Sequence, residues 1–320
     1  MNEYFIAWWN LENLFDVENS LQRPLWLRSR LRSELAGWNQ QILDKKISQL
    51  TKIISKMNGD QGPDILGVCE VENQPVLQLL VTRLSGVGRN YQIAHHDTSD
   101  ERGIDVAFIY DAAKFTVERQ FFHVVLKRTA TRDLFQVNLR TQGGRDLILV
   151  GNHWPARSAG LFESEPYRIV AAETLSYWHE RILEEKGADA VILAMGDFND
   201  EPFNRSLTDY ALSTNSIAKV RNARTAKLYN LMWPLMGKGL GTFYYDNLPN
   251  MLDQFLVSKG FLKNNAPIQC KAGSAKIEAF PEMISGGDYP DPIPFGRPSD
   301  NLNVSGFSDH YPISVVLQEV

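Results

Sequence analysis

The stretch MGDFND at residues 195–200 determines much of the interpretation of this chain. The apolar run at 191–194 just before it predicts a buried strand that ends at these polar residues. Because side chains at i and i+2 of a strand share a face, Asp197 and Asn199 are expected to point the same way. A carboxylate beside an amide can bind a metal ion or aim a water molecule while the amide holds a phosphate oxygen. A simple Asx turn is the alternative, since Asp and Asn are common turn residues.

Other apolar runs carry polar groups at their ends in the same manner. Carboxylates and amides in such positions are suitable ligands for a hard cation such as Mg²⁺, and histidine handles protons near neutral pH. An aspartate can also orient a histidine, and an arginine can clamp a phosphate. Helix capping after residue 70 and an incidental loop histidine are the structural alternatives. The residues concerned are Asn10, Glu70, His153, Arg157, Asp253, Asp309 and His310.

The apolar pattern predicts mixed sheets with helices outside, rather than a doubly wound parallel sheet. Periodic apolar positions predict helices over 42–57, 75–84 and 169–183. A polar turn within 138–145 is typical of an antiparallel hairpin. Strands are predicted at 4–9, 65–69, 106–110, 135–139, 147–150, 191–194, 254–257 and 313–317.

Composition excludes several protein classes. Of the 320 residues 43% are hydrophobic and 22% charged, which argues against a disordered chain. Two cysteines cannot form a disulfide framework, and no apolar run reaches the roughly 18 residues of a membrane helix. The start, Met-Asn-Glu, lacks a signal-peptide pattern, so a cytoplasmic location is the default expectation, or secretion if a leader was removed.

Charge and motif content narrow the chemistry further. A net charge of −5 does not favour non-specific DNA binding, although a local basic cleft on an acidic body is compatible with it. The sequence contains no CxxC, HExxH, GxxxxGK[ST] or GxSxG pattern. A zinc protease or finger, a P-loop NTPase and an α/β-hydrolase therefore have no support.

Seven segments, in this order, resemble the endonuclease/exonuclease/phosphatase superfamily. This superfamily includes deoxyribonuclease I, abasic-site endonucleases, bacterial sphingomyelinases and inositol polyphosphate 5-phosphatases. The resemblance implies a single domain over 1–320 with insertions near 16–40 and 222–250. It also implies an α+β fold, a four-layer αββα sandwich of two mostly antiparallel sheets flanked by helices. The segments are WNLENLFD (9–16), DILGVCEVEN (64–73), RGIDVAFIYD (102–111), GNHWPARS (151–158), GDFND (196–200), LDQFLVS (252–258) and GFSDHYP (306–312).

The resemblance also implies a metal and a role for each polar group. Mg²⁺, with Mn²⁺ as the other option, would be surrounded by Asn10, Glu70 and Asp309. Asp197 would position or deprotonate the attacking water, and His310, paired with Asp253, would face the scissile phosphate. Whether Asp197 or His310 is the base stays open, as does the number of metal ions.

The same resemblance assigns the remaining site residues. Asn199, Arg157 and Arg102 would contact the substrate phosphate. His153 would be the second histidine of the deoxyribonuclease and sphingomyelinase branches, oriented by Asp105.

The substrate expected from the resemblance is DNA, cleaved endonucleolytically by in-line attack of a metal-site water. Abasic-site endonucleases carry Asn-Ala after a proline where this chain has His153-Trp154, which argues against abasic-site repair. The alternative is a phosphatase or phosphodiesterase acting on a small-molecule or lipid phosphoester with the same site. No stable protein partner is implied.

Overall fold

Sixteen strands make up the β-structure of the computed structural model, which describes residues 2–320. They are β1 (Asn2–Leu14), β2 (Ile65–Val71), β3 (Tyr91–His95), β4 (Asp105–Asp111), β5 (Phe115–His123), β6 (Leu134–Thr141), β7 (Asp146–His153), β8 (Ile192–Asp197), β9 (Ser213–Thr214), β10 (Leu228–Asn230), β11 (Phe243–Tyr245), β12 (Leu248–Asn250), β13 (Asp253–Val257), β14 (Ile268–Cys270), β15 (Lys276–Ile277) and β16 (Ile313–Glu319).

Three long helices and three short ones accompany these strands. All three helices and all eight strands predicted from the sequence are present, including the hairpin of β6 and β7. The helices are α1 (Leu25–Leu31), α2 (Gln40–Asp60), α3 (Gln74–Arg83), α4 (Leu161–Lys186), α5 (Ile217–Arg221) and α6 (Lys259–Leu262).

Two seven-stranded sheets form the centre of the fold. The first sheet has the order β14-β16-β1-β2-β4-β3, with β15 beside β16, and the second has the order β5-β6-β7-β8-β13-β10-β9. Neighbouring strands are mostly antiparallel, and the parallel pairs are β1 with β2, β7 with β8, and β9 with β10. A small hairpin of β11 and β12 stands apart.

Strand alternation in β1 shows how the layers form. Tyr4, Ile6 and Trp8 lie in the core between the two sheets, whereas Phe5 and Ala7 face α2 and α3 on the outside of the first sheet. On the far side of the second sheet, strands β7 and β8 pack against α4. Burial on both faces explains the near-continuous apolar runs in the sequence. The four-layer α+β sandwich is thus confirmed.

The segment 16–40 is fastened to the end of β2 by a buried ion pair. Arg23 Nε lies 2.5 Å from Glu72 Oε1, and its Nη2 donates to Glu72 Oε2 at 2.7 Å. Helix capping was the alternative role for Glu72, but Asn73 caps α3 by accepting from the Val76 amide. The same segment packs Trp38 against Phe295 of the loop at 281–298, and both side chains are fully buried.

The segment 222–250 contributes β10, β11 and β12. That 1–320 forms a single domain with insertions at these two places stays a prediction. Within residues 2–320, none of the helices combines the length and the apolar character needed to cross a bilayer.

Candidate active site

The register of the second sheet brings three of the predicted residues side by side. Asp197 ends β8 and lies opposite Asp253 of β13 and opposite His153 of β7. This close approach requires Gly196, because a Cβ there would lie 2.2 Å from the backbone oxygen of Asn152. The ends of these three strands therefore converge at Asp197.

The first sheet meets this cluster through Asn10. Asn10 Nδ2 donates to Asp197 Oδ2 at 3.1 Å, and this hydrogen bond connects the two sheets at the site. Glu70 lies near the end of β2, the neighbouring strand, at an irregularity in the pairing. Its backbone φ is 60°, an unusual value outside glycine, and it turns Glu70 out of the regular alternation. Backbone strain of this kind is common at functional sites.

His310 is held in one orientation by Asp253. His310 Nδ1 and Asp253 Oδ2 are 2.7 Å apart, and the other oxygen of Asp253 accepts from Trp8 Nε1 at 3.1 Å. Phe243 covers the imidazole ring at a centroid distance of 4.9 Å. His310 Nε2 lies 3.9 Å from Asp197 Oδ2.

The pKa values of His310 and Asp197 are both raised, which suits the two residues to proton transfer. Burial alone would lower the pKa of His310, but the charges of Asp253 and Asp197 raise it well above its usual value. Burial raises the pKa of Asp197 to about 6, with Asp253 adding to the rise and His310 opposing it. At neutral pH this arrangement favours an imidazolium at His310 beside a carboxylate at Asp197.

Asn199 occupies a tight turn after Asp197. Its backbone amide donates to Asp197 Oδ1 at 2.9 Å, and its side-chain amide donates to the Trp154 carbonyl at 3.0 Å. The Asx turn, first considered as the alternative to a functional role, is therefore present. It fixes one oxygen of Asp197 and leaves Oδ2 facing Asn10 and the two histidines.

Of the predicted metal ligands Asn10, Glu70 and Asp309, Asp309 has the least engaged side chain. Among the described residues, no hydrogen bond reaches the carboxylate of Asp309. The pKa of Asp309 is raised to about 7, mainly by burial, with Glu12 and Glu70 adding to the rise and His310 opposing it. A carboxylate without donors, beside other acids, is well suited to a hard ion that prefers oxygen ligands.

Two residues near this set, Lys46 and Glu12, were not identified from the sequence. Lys46 of α2 is fully buried; it donates to the Phe307 carbonyl at 2.9 Å and lies 3.6 Å from Glu12 Oε2. Burial lowers the pKa of Lys46, while Glu12, Asp309 and Glu70 oppose that change. The available signal was a lone lysine among the apolar positions Leu43 and Ile47 of the helix.

His153 lies in the cluster but is not oriented as predicted. Its Nε2 is 3.7 Å from Glu70 Oε1 and 3.8 Å from Asp197 Oδ2. Burial lowers the pKa of His153 well below its usual value, with Arg132 and Arg102 adding to the effect, so the ring is neutral. The prediction that Asp105 orients it is wrong, because Asp105 bonds Thr98 and faces His95, while His153 Nδ1 is buried without a partner.

The two arginines predicted to bind phosphate differ in their hydrogen bonds and exposure. Arg157 donates to the Asn199 carbonyl at 2.6 Å and to the side chains of Asn250, Asp200 and Asn204, so it ties loops together. Arg102 is 39% exposed, donates to Asn13 Oδ1 at 2.7 Å and approaches Glu70 Oε1 at 3.5 Å. Arg102 is therefore the better placed of the two to meet a substrate.

Solved structures with the same fold span nearly the whole chain. The TDP2 of D. rerio complexed with single-strand DNA product has 12% identity and a TM-score of 0.59, covering 99% of this chain and 100% of that one. An endonuclease/exonuclease/phosphatase family protein from Bacteroides thetaiotaomicron has 14% identity and a TM-score of 0.55, covering 99% and 97%. ANGEL2, a 2′,3′-cyclic phosphatase, has 10% identity and a TM-score of 0.62, covering 98% and 95%.

The family assignment follows from the sequence profile rather than from these distant structures. A search of curated proteins finds no match. The profile of the endonuclease/exonuclease/phosphatase family matches residues 5–319. The chain therefore belongs to the endonuclease/exonuclease/phosphatase family and is a metal-dependent hydrolase of phosphoesters.

Proposed function

We propose that the chain is a Mg²⁺-dependent phosphodiesterase that cleaves DNA, with Mn²⁺ as the other usable ion. The observation that carries the chemistry is the joint contact of Asp197 Oδ2 with Asn10, at 3.1 Å, and with His310 Nε2, at 3.9 Å. Asn10, Glu70 and Asp309 would hold the cation, which would neutralise charge on the scissile phosphate.

The shifted pKa values favour one division of roles between Asp197 and His310. A protonated His310 donates from Nε2 to a non-bridging phosphate oxygen, and Asp253 holds the ring for this task. The ionised Asp197 then orients the attacking water and accepts its proton. Asn199 holds a second phosphate oxygen once its side-chain amide turns from Asp197 Oδ2, 3.3 Å away.

Two open grooves that meet beside the site support an extended substrate. One has a volume of about 270 Å³, and its lining carries Arg30, Arg102, Lys127 and Arg132 against the acids Asp100 and Glu101. The other has a volume of about 670 Å³ and shares Arg102, Ala156 and Ser158 with the first. Arg30 pairs with Glu101 and Arg132 with Asp100, which leaves Arg102 and Lys127 as the side chains of this groove that would meet phosphates. The DNA product in the D. rerio TDP2 complex agrees with this choice.

The alternative substrate is a small-molecule or lipid phosphoester hydrolysed by the same residues. The acidic balance of the chain favours it, because long DNA contacts usually need a larger basic surface. The activity stated for ANGEL2 shows that proteins of this fold also act on other phosphoesters.

Conversion of supercoiled plasmid at low salt, with Mg²⁺, Mn²⁺ or EDTA, tests the proposal. Metal-dependent nicking is expected, and Asp197→Ala or His310→Ala should lower the rate by roughly 10²–10⁴-fold while the circular dichroism spectrum is kept. Lys127→Ala should reduce the slope of log rate against log salt by about 1, whereas Lys186→Ala, remote from the groove, should not.

Two outcomes would redirect the assignment. Plasmid that stays intact with either ion contradicts the DNA substrate, and turnover of a soluble phosphodiester by the same sample would then identify the alternative. Near-normal activity in a folded Asp197→Ala or His310→Ala variant would show that its assigned role is wrong.

A further inference from the structure

A second group of metal-binding side chains lies where β3 and β4 meet, and it shares no residue with the catalytic set. His95, Asp97 and Asp105 each offer a ligand atom, and these atoms all lie within 4.8 Å of one another. Within residues 2–320 this is the one trio of histidine, cysteine or acidic side chains that meets that distance.

The histidine of this group carries an unpaired buried nitrogen. The side chain of His95 is 3% exposed, and its Nε2 makes no hydrogen bond. This nitrogen lies 3.3 Å from Asp105 Oδ2 and 3.9 Å from Asp97 Oδ1, so it points between the two acids. Leaving a buried polar atom unsatisfied costs about 1–3 kcal/mol, which a bound ligand would recover.

The other carboxylate oxygen of Asp105 is held by two hydrogen bonds. Its Oδ1 accepts from the backbone amide of Thr98 at 2.9 Å and from the Thr98 hydroxyl at 2.6 Å. These bonds fix the carboxylate and leave Oδ2 directed at His95. Outer hydrogen bonds of this type commonly orient the ligands of protein metal sites.

From these contacts we propose that His95, Asp97 and Asp105 bind a transition-metal dication such as Zn²⁺. Tetrahedral Zn²⁺ has bonds of about 2.0–2.2 Å to nitrogen and oxygen, which places its ligand atoms roughly 3.3 Å apart. The observed 3.3 Å between His95 Nε2 and Asp105 Oδ2 matches that spacing. An imidazole ligand selects against Mg²⁺ and Ca²⁺, so this site and the oxygen-rich catalytic set take different ions.

The ion would fix the loop between β3 and β4, which carries Arg102 to the cleft. Within this loop Asp100 Oδ1 accepts from the Arg102 amide at 2.9 Å, and its Oδ2 lies 3.1 Å from Arg132 Nη1. Closing the loop at Asp97 and Asp105 would restrict the segment 96–104 whatever the substrate of the enzyme.

Calorimetric titration of metal-free protein with ZnCl₂ tests this site. Asp309→Asn serves as the parent protein, so that the catalytic set does not compete for the ion. The parent is expected to bind one equivalent of Zn²⁺, and added Asp97→Asn or His95→Gln should weaken binding at least tenfold. Zn²⁺ should also slow hydrogen exchange of the amides at 96–104 in the parent.

Matched controls separate this site from adventitious binding. His96→Gln alters the adjacent histidine and Asp209→Asn an exposed acid elsewhere, and both should bind Zn²⁺ like the parent. A parent that binds no Zn²⁺, or binding unchanged in Asp97→Asn, would overturn the proposal. Asp97→Asn decides the matter even if His95→Gln fails to fold, because the Asp97 side chain is 80% exposed.

Discussion

The two ends of strand β2 carry buried acids that are neutralised in different ways. At the start, Asp64 Oδ1 contacts Arg89 Nη1 and Lys114 Nζ, the latter at 2.6 Å, while its Oδ2 accepts from the Phe5 amide at 2.7 Å. Asp111 joins the same group through Arg89 at 3.2 Å. Two acids thus face two basic side chains, and this end of the strand is neutral within the chain.

The other end of β2 contains one acid without such a partner, Asp309. Asp309 lies near Glu70 and Glu12, and His310 and Lys46 are the cations that act on it without a hydrogen bond. Burial is the main cause that raises the pKa of Asp309 to about 7, with Glu12 and Glu70 adding to the rise and His310 opposing it. The carboxylate of Asp64 thus has basic partners, whereas that of Asp309, a ligand of the proposed cation, has no hydrogen-bond donor among the described residues.

Removing the charge of Asp64, at the start of β2, should have the largest effect on stability. Asp64→Asn leaves Arg89 and Lys114 with half of their acidic partners, and loss of one member of a buried ion pair costs about 3–5 kcal/mol. Urea denaturation would measure the change, and the rate per folded molecule should be unaltered. Unchanged stability would mean that the two ends of β2 do not differ as described.

The pH dependence of stability has a contribution from a buried histidine, which must be separated from that of the acids. His179 in α4 is buried, neither ring nitrogen has a partner, and burial lowers its pKa to about 4. Between pH 6.5 and 4 the unfolded chain binds the extra proton, so stability falls with pH by at most about 3 kcal/mol.

Replacing this histidine isolates its share of the acid sensitivity. His179→Leu should flatten the decline of stability between pH 6.5 and 4, measured by denaturant unfolding at several pH values. His96→Gln, a change at a less buried histidine, should leave the slope as in the parent chain. Equal slopes in both variants would assign the acid sensitivity elsewhere.

The smallest expected effect on stability concerns Asp309, at the other end of β2. Without divalent cation at pH 8, Asp309→Asn removes charge repulsion with Glu12 and Glu70 and should raise stability by about 1 kcal/mol. Mg²⁺ should stabilise the unsubstituted protein and not Asp309→Asn, because a ligand that binds the folded state raises its melting temperature. A variant that is less stable in EDTA would show that Asp309 is not repelled.

The sequence predicted the layered architecture because its apolar periodicities are long and bounded by polar residues. The resemblance to the family implied that Asn10, Asp197, Asp253 and His310 share one site, and these residues do make mutual contacts. Their assigned roles stay predictions. Burial on both faces of each sheet made the runs easy to read.

Pairings that depend on side-chain direction could not be predicted in this way. Asp105 turns to His95 and Thr98 instead of His153, and nothing in a strand's alternation distinguishes these partners. The four acceptors that engage Arg157 come from separate loops, so no local pattern announces them. Lys46 was overlooked because a single lysine on an apolar helix face usually extends to solvent.

The adjacency of β1 and β16 has a consequence for how the enzyme is made. Asn10 lies on the first strand, while Asp309 and His310 immediately precede the last, which pairs with the first from Asn2–Glu319 to Trp8–Ile313. Such distant pairing closes late, after about 300 residues have left the ribosome. If Asp309 and His310 have the proposed roles, a nascent or prematurely terminated chain that ends before residue 309 would lack one metal ligand and one histidine of the site. Hydrolysis would then require translation past that point.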